Sequence, residues 1–282
     1  MNTVEKTKPV ALVTGASAGI GEVTARQLIA DGYIVYAAAR RVEKMRPLEE
    51  AGARPLAMDV TKDAQVVAGM DQIIADCGRI DVLVNNAGYG SYGAIEEVPM
   101  SEARYQFEVN VFGLARLIQL ALPHMRQQRS GKIVNISSMG GKVYEALGGW
   151  YHATKFAIEG LSDCLRLELA EFGIDVIVIQ PGGIMTDWGD IAADKLLAVS
   201  NDSAYTQQVQ RQAKVLRYSE SRMPLSKPEV VAETISQALK SRRPSPRYAT
   251  GYGAKLILLI RKWASDRMMD WVMRTMARQA SK

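Results

Sequence analysis

Tyr151 and Lys155 stand four residues apart in Trp150-Tyr151-His152-Ala153-Thr154-Lys155. On a helix that spacing puts both side chains on one face. A phenol ordinarily keeps its proton to about pH 10 and is a poor base at neutrality. An ammonium beside it favours the phenolate and is expected to bring the phenol's pKa down toward the working range, where it can exchange a proton with a bound oxygen. Taken alone, such a pair is a common ornament of helix surfaces. Ser138, thirteen residues upstream of Tyr151 in Asn135-Ile136-Ser137-Ser138-Met139, adds a hydroxyl just past an apolar segment and turns the reading toward chemistry. Ser137 is the adjacent alternative.

A second stretch, Val13-Thr14-Gly15-Ala16-Ser17-Ala18-Gly19-Ile20-Gly21, carries two motifs on the same glycines. Gly15-x-Ser17-x-Gly19 fits the nucleophile elbow of a serine hydrolase, which needs a histidine base and an orienting acid later in the chain. The only histidines are His124 and His152, so the last 130 residues contain none, and a single strand precedes the motif. The other reading is a glycine-rich turn whose backbone approaches a pyrophosphate and offers it the free N–H groups of a helix start. An apolar strand before the turn and a helix after it favour the second reading, which makes Ser17 a phosphate contact.

These residues need a frame. Short β-branched runs at 10–13, 34–38, 54–58, 82–84, 132–136 and 174–179 are apolar on both faces, the pattern of parallel strands covered on two sides. Helical spacing fills 19–31, 43–51, 62–77, 101–128 and 151–172. The alternation predicts an α/β, doubly wound parallel sheet with helices on both faces. Residues 187–222 break the rhythm and read as a helical cover over the sheet edge. Ser226 is the expected cap of a helix running to Leu239. The expected organisation is one Rossmann-like unit over 1–250, with 187–222 covering the substrate and a basic amphipathic helical tail over 251–282 packed on it.

Thr14-Gly15-x3-Gly19-Ile20-Gly21, Asp59-Val60, Asn85-Asn86-Ala87-Gly88, Asn110, Ser138, Tyr151-x3-Lys155 and Pro181-Gly182 occur in one order, at intervals that resemble the short-chain dehydrogenase/reductase family from about Pro9 to Thr186. The histidine-containing Tyr151 segment and the long carboxyl-terminal extension are most similar to its hydroxysteroid- and retinol-dehydrogenase-like branch. The resemblance implies hydride exchange between a nicotinamide and a carbinol or carbonyl carbon. Tyr151 would be the acid/base and Lys155 its electrostatic partner and grip on the nicotinamide ribose. Ser138 would bind the carbonyl oxygen, and Asn110 would bend its helix and hold a water leading to the lysine. Gly15, Ser17, Gly19, Ile20 and Gly21 would hold phosphate, Asp59 and Val60 the adenine, and Asn86, Ala87 and Gly88 the adenosine side. Pro181, Gly182, Gly183 and Thr186 would lie along the nicotinamide.

The end of the second strand reads the adenosine ribose in this fold. Ala39 stands where NAD-specific relatives have an aspartate, and Arg40 and Arg41 follow. A guanidinium facing a 2′-phosphate makes a strong charge-assisted contact, so NADP(H) is expected ahead of NAD(H). One departure is Ala18, where many NADP-dependent relatives carry a base. Met139, Tyr144, Trp150, Met185 and Trp188 are the expected substrate neighbours of Ser138 and Tyr151, and they suit a small apolar ketone, secondary alcohol or aldehyde. A catalytically silent NADP(H)-binding scaffold or sensor is the rival reading, and the complete set of four catalytic residues argues against it.

Composition limits the partners. The net charge of +5 hides an asymmetry: residues 241–282 hold ten Lys or Arg against Asp266 and Asp270, so the body is slightly acidic. No nucleic-acid footprint falls on that body. Cys77 and Cys164 have no metal-ligand or C-x-x-C spacing and read as free buried thiols. With two histidines, no metal site is expected. The start, MNTVEKTKP, lacks the apolar run of a signal peptide, and a cytoplasmic protein is expected. In the tail, Leu256, Ile257, Leu259, Ile260 and Trp263, then Met268, Met269, Val272, Met273 and Met276, alternate with Arg261, Lys262, Arg267, Arg274 and Arg278. Such helices can pack over the substrate region, join subunits or make peripheral contact with a membrane. The family resemblance also implies a homodimer or homotetramer through the helices near 101–128 and 151–172.

Overall fold

The computed structural model describes residues 8–200, 203–217 and 224–280. The strands are β1 (Val10–Thr14), β2 (Ile34–Ala39), β3 (Arg54–Ala57), β4 (Val82–Asn85), β5 (Gly131–Ile136), β6 (Ile174–Pro181) and β7 (Arg247–Thr250). They form one parallel sheet in the order β3-β2-β1-β4-β5-β6-β7. The order reverses direction between β1 and β4, which opens a crevice at the carboxyl ends of the strands.

Alternate residues of each central strand enter different cores, which is why the strands read as apolar throughout. Val10, Leu12, Leu83, Ile133 and Val176 face α3 (Asp63–Cys77), α5 (Gly113–Gln128) and α6 (Gly149–Leu169). Ala11, Val13, Val84, Val134 and Ile177 face α1 (Gly19–Ala30), α2 (Arg46–Glu50) and α9 (Glu229–Lys240). Each fully buried Leu, Ile or Val contributes roughly 1.5–3 kcal/mol of transfer free energy. That burial holds the strand ends that carry the site.

The expected long helix at 101–128 is two helices, α4 (Met100–Phe107) and α5, joined by a π turn at Glu108–Phe112. The expected cover consists of α7 (Trp188–Ser200) and α8 (Thr206–Leu216), whose Ala192, Ala193, Leu196, Val209 and Ala213 pack on Tyr92, Ala94, Leu147 and Tyr151. Residues 201–202 and 218–223 of that stretch lie outside the described residues. The tail forms α10 (Ala254–Trp263) and α11 (Asp266–Ala280).

Two expectations need correction. Ser226 does not cap α9: the N-cap is Pro228, without a side-chain bond, and the Ser226 backbone instead pairs with Gly183 and Met185. Cys164 is exposed, and only Cys77 is partly buried.

Candidate active site

The loop after β1 turns through Gly15 at φ +65° and Gly19 at φ +55°, left-handed backbone that favours glycine. A side chain at Gly21 would collide with the Gly15 carbonyl oxygen and stand 2.5 Å from the Asn86 amide nitrogen. That amide is the stitch between two loops: Asn86 Nδ2 donates to the carbonyls of Thr14 (3.0 Å) and Gly15 (3.3 Å). The Thr14 hydroxyl in turn accepts from the backbone N–H groups of Asn86 and Ala87. Ala18 gives α1 no side-chain cap, so the helix start at Gly19, Ile20 and Gly21 keeps the donors that a phosphate would take. These residues fit a dinucleotide diphosphate.

Other expected contacts surround that turn. Arg41 Nη2 lies 3.5 Å from the Ser17 hydroxyl, so a base from the end of β2 reaches the glycine loop where Ala18 supplies none. Arg40 donates to the Tyr105 hydroxyl at 3.2 Å, and both arginines are exposed. Asp59 Oδ1 is engaged by the backbone and hydroxyl of Thr61. The Val60 backbone and side chain lie against Gly113. Thr186 packs over Gly19, 3.2 Å from where a side chain there would begin. Gly182 and Gly183 donate to the carbonyls of Thr250 and Tyr252, which the absence of side chains permits.

Asn110 sits within the π turn, a distortion often found at functional sites. Its Oδ1 accepts from the Tyr89 N–H (3.0 Å), and its Nδ2 donates to the Tyr89 carbonyl (2.9 Å) and the Thr154 hydroxyl (3.1 Å). One amide thus fixes the loop after β4 and ties it to α6. A side chain on Gly88 would begin 3.1 Å from the same Oδ1.

Ser138 follows β5 and caps the short turn Met139–Gly141, accepting from the Gly140 N–H at 3.0 Å. Ser137 is buried beneath Gly141. Lys155 is buried on α6, its Nζ donating to the Ile136 carbonyl at 2.8 Å and standing 5.9 Å from the Tyr151 ring centroid. Desolvation brings the Lys155 ammonium down to about 8, against the upward pull of Glu159. The Tyr151 phenol is pushed up to about 12, because burial outweighs a hydrogen bond from Ser138 and the Glu145 charge adds to the rise. The expected lowering by Lys155 is therefore not found: both groups are buried, and burial disfavours the charged form of each.

The expected substrate residues separate. Trp188 meets Tyr151 with ring centroids 5.0 Å apart and also packs against Gly90. Met139 and Tyr144 instead join Val143, Ile257 and Met269 beneath the tail, with the Tyr144 hydroxyl on Asp270 at 2.9 Å. Trp150 turns its edge to Phe107, centroids 6.5 Å apart, on a different side of α6 from Tyr151. Met185 pairs through its backbone N–H with the Ser226 carbonyl. Three neighbours were missed. Tyr92 stacks on Tyr151 at 5.8 Å and donates to Glu145 at 2.8 Å, and His152 accepts from the Glu145 N–H at 3.1 Å. No spacing rule joins Tyr92 and Glu145 to Tyr151, because three separate segments supply them.

Comparison with known proteins places this geometry. The family model described as short chain dehydrogenase matches residues 9–195. The chain is 36% identical over 269 residues to 3-ketodihydrosphingosine reductase of Bacteroides thetaiotaomicron, covering 94% of this chain and 96% of that one. It is 31% identical over 271 residues to NADPH-dependent 3-dehydrocapnine reductase of Ornithobacterium rhinotracheale, covering 92% and 94%. Among solved structures, a short-chain dehydrogenase from Streptomyces avermitilis superposes with a TM-score of 0.80 at 36% identity, over 90% of this chain and 92% of that one. A serine dehydrogenase complexed with NADP+ gives 0.73 at 26%, over 86% and 94%. A 3-ketoacyl-(acyl-carrier-protein) reductase from Brucella melitensis complexed with NADH gives 0.69 at 26%, over 86% and 95%. The chain belongs to the short-chain dehydrogenase/reductase family and is an oxidoreductase of that class.

Proposed function

We propose that this protein reduces an apolar ketone to a secondary alcohol at the expense of NADPH. The turn at Gly15, Gly19 and Gly21 would hold the dinucleotide, whose nicotinamide would supply the hydride. Tyr151 donates the phenolic proton to the carbonyl oxygen, Ser138 donates a hydrogen bond to the same oxygen, and Lys155 offers positive charge as the phenolate forms. Asn110 holds the loop and helix that carry them. The observation that carries this reading is the joint placement of Ser138, Tyr151 and Lys155 at the carboxyl end of β5, with the Trp188 ring against Tyr151. At neutral pH the buried phenol carries the proton that carbonyl reduction uses, while burial and the Glu145 charge strengthen its hold on it.

Arg40 and Arg41 beside Ala39 support NADP(H) over NAD(H), since no acid at the end of β2 is present to take a ribose 2′-hydroxyl. The NADP+ and NADPH named for two of the related proteins agree with that. A single catalytic unit over 1–250 is supported by the packing of α7 and α8 on Tyr92 and Tyr151, and the tail lies against the loop after Ser138.

The relatives named for a ketodihydrosphingosine and a dehydrocapnine point to a ketone carried on a long chain. The tail supports the same idea. Leu256, Leu259 and Trp263 project from one face of α10 at 65, 59 and 79% exposure, flanked by Lys255, Lys262 and Arg267. An apolar face ringed by bases fits the surface of an anionic bilayer, where long-chain ketones reside. Exposed Phe112, Phe156 and Leu167 on and beside α5 and α6 give a separate face for self-association as a homodimer or homotetramer. The test is NADPH oxidation against ketones of increasing chain length, with and without anionic vesicles. Turnover that is lost in Tyr151→Phe supports the reading; binding of NADPH with no turnover on any ketone leaves a cofactor-binding sensor.

A further inference from the structure

Glu145 brings a carboxylate to the Tyr151 cluster with no cation to balance it. It lies on the loop between the Met139–Gly141 turn and α6, and its side chain is 29% exposed. Its neighbour His152 is neutral by geometry. His152 Nδ1 stands 2.9 Å from the Gly140 carbonyl, which only accepts, so Nδ1 carries the proton. Nε2 accepts from the Glu145 N–H and therefore carries none. The carboxylate, 4.0 Å from Nε2, therefore finds no proton there to accept. Its other close partner is the Tyr92 hydroxyl, on a ring stacked against Tyr151.

The nearby lysines are committed elsewhere. Lys142 pairs with Glu159, and Lys155 donates to Ile136. Among the described residues no Lys or Arg stands within 4.0 Å of Glu145. Such a charge opposes the reaction proposed for Tyr151, because it raises the phenol's hold on its proton and disfavours the phenolate left behind. That penalty disappears if the substrate itself brings a positive charge.

We propose that Glu145 is the counter-ion for a protonated amine carried close to the reacting carbonyl, so that the site selects amino ketones over neutral ketones. The assignment rests on the reading of Tyr151 as proton donor. Tyr92 holds the carboxylate by its hydroxyl and leaves the second oxygen for the ammonium. The His152–Gly140 pair fixes the loop from which Glu145 projects.

The experiment compares wild type with Glu145→Gln on a matched pair, a long-chain 2-amino-3-ketone and the same ketone without the amine, at a pH where the amine is protonated. Glutamine keeps an acceptor for the Tyr92 hydroxyl and removes the charge. The expected result is a preference of about tenfold or more in kcat/KM for the amino ketone, abolished in Glu145→Gln, with turnover of the neutral ketone improved. Equal loss on both substrates, or no preference in wild type, overturns the assignment. Calorimetric titration of the amino alcohol product and its deaminated counterpart needs no turnover. If wild type reduces neither ketone, the Tyr151 reading fails, and the titration still decides Glu145. Tighter binding of the amino alcohol, lost in Glu145→Gln, supports the counter-ion role, and equal binding of the two alcohols refutes it.

Discussion

Lys155 links the site to the stability of the whole fold, and the sign of that link is testable. Its ammonium is buried on α6 with one carbonyl acceptor, and desolvation brings its pKa from 10.5 to about 8. The unfolded chain, with the higher pKa, binds more protons than the native state between these values. Stability therefore rises with pH through that window, and below about pH 8 the native state bears the full cost of the buried charge. Integrating the two titrations gives a gain of about 2.5 kcal/mol between about pH 7 and about pH 10. Urea unfolding of wild type and Lys155→Met across that range isolates the effect, since the difference between the two curves cancels every other titrating group. Wild type is expected to gain on the variant as pH rises, by about 2–3 kcal/mol in all. Parallel curves would refute the argument that this ammonium is desolvated. A wild type that lost ground with rising pH would mean that the charge is stabilised in place, by Glu159 or another group.

Three further outcomes are expected. Arg40→Ala should weaken NADPH binding by roughly tenfold or more and leave NADH unchanged, as the loss of one charge-assisted contact requires; fluorescence titration reads it, and equal losses for both cofactors would make Arg40 a solvated surface charge. Gly21→Ala places a methyl group against the Gly15 carbonyl and should abolish nucleotide binding in a chain that still folds by circular dichroism, whereas retained affinity would sink the close-packing argument. Trp188→Ala removes the ring 5.0 Å from Tyr151 and should let the phenol fall from about 12 toward its ordinary value near 10. The ultraviolet signal of the phenolate, taken as a difference from the same variant carrying Tyr151→Phe, measures that fall, and an unmoved titration would show that Trp188 does not shield the group.

The parts legible in the sequence are those whose environment is uniform along the chain. β1, β2, β4, β5 and β6 are covered on both faces, so their residues are apolar without alternation. β7 was missed because Arg247-Tyr248-Ala249-Thr250 is a half-buried edge, and Arg247 is there to pair with Glu159 (2.8 Å) and Asp163 (2.7 Å) on α6. The break in the 101–128 helix has no signal in helical spacing, and only the resemblance implied a bend at Asn110, because its cause is tertiary: Asn110 bonds to Tyr89 and Thr154, not to its own helix. Trp150 misled by adjacency. Successive residues on a helix point about 100° apart, so the neighbour of Tyr151 in sequence faces Phe107 while Trp188, far along the chain, covers the phenol. The resemblance supplied the identities of the candidate catalytic residues, but not the burial that governs their protons.

Under the roles proposed for Tyr151 and Glu145, that burial gives the two charges near the phenol different tasks. Lys155 sits beneath the helix, fixed to Ile136, where its charge can answer the phenolate whichever ketone is bound. Glu145 sits on the loop side and is partly exposed, as a contact with a substrate group requires. If Tyr151 had only the lysine, a neutral ketone would serve as well as any other. With the carboxylate present and unpaired, proton transfer to a neutral ketone must work against a negative charge, and an ammonium on the substrate lifts that opposition while leaving Lys155 unchanged. A site built this way separates catalytic power, carried from inside the fold, from selectivity, carried on the loop. The same division explains why Glu145 is tied to Tyr92 and to a neutral His152 and not to a lysine: a permanent cation there would satisfy the carboxylate and remove the reason for a charged substrate to bind.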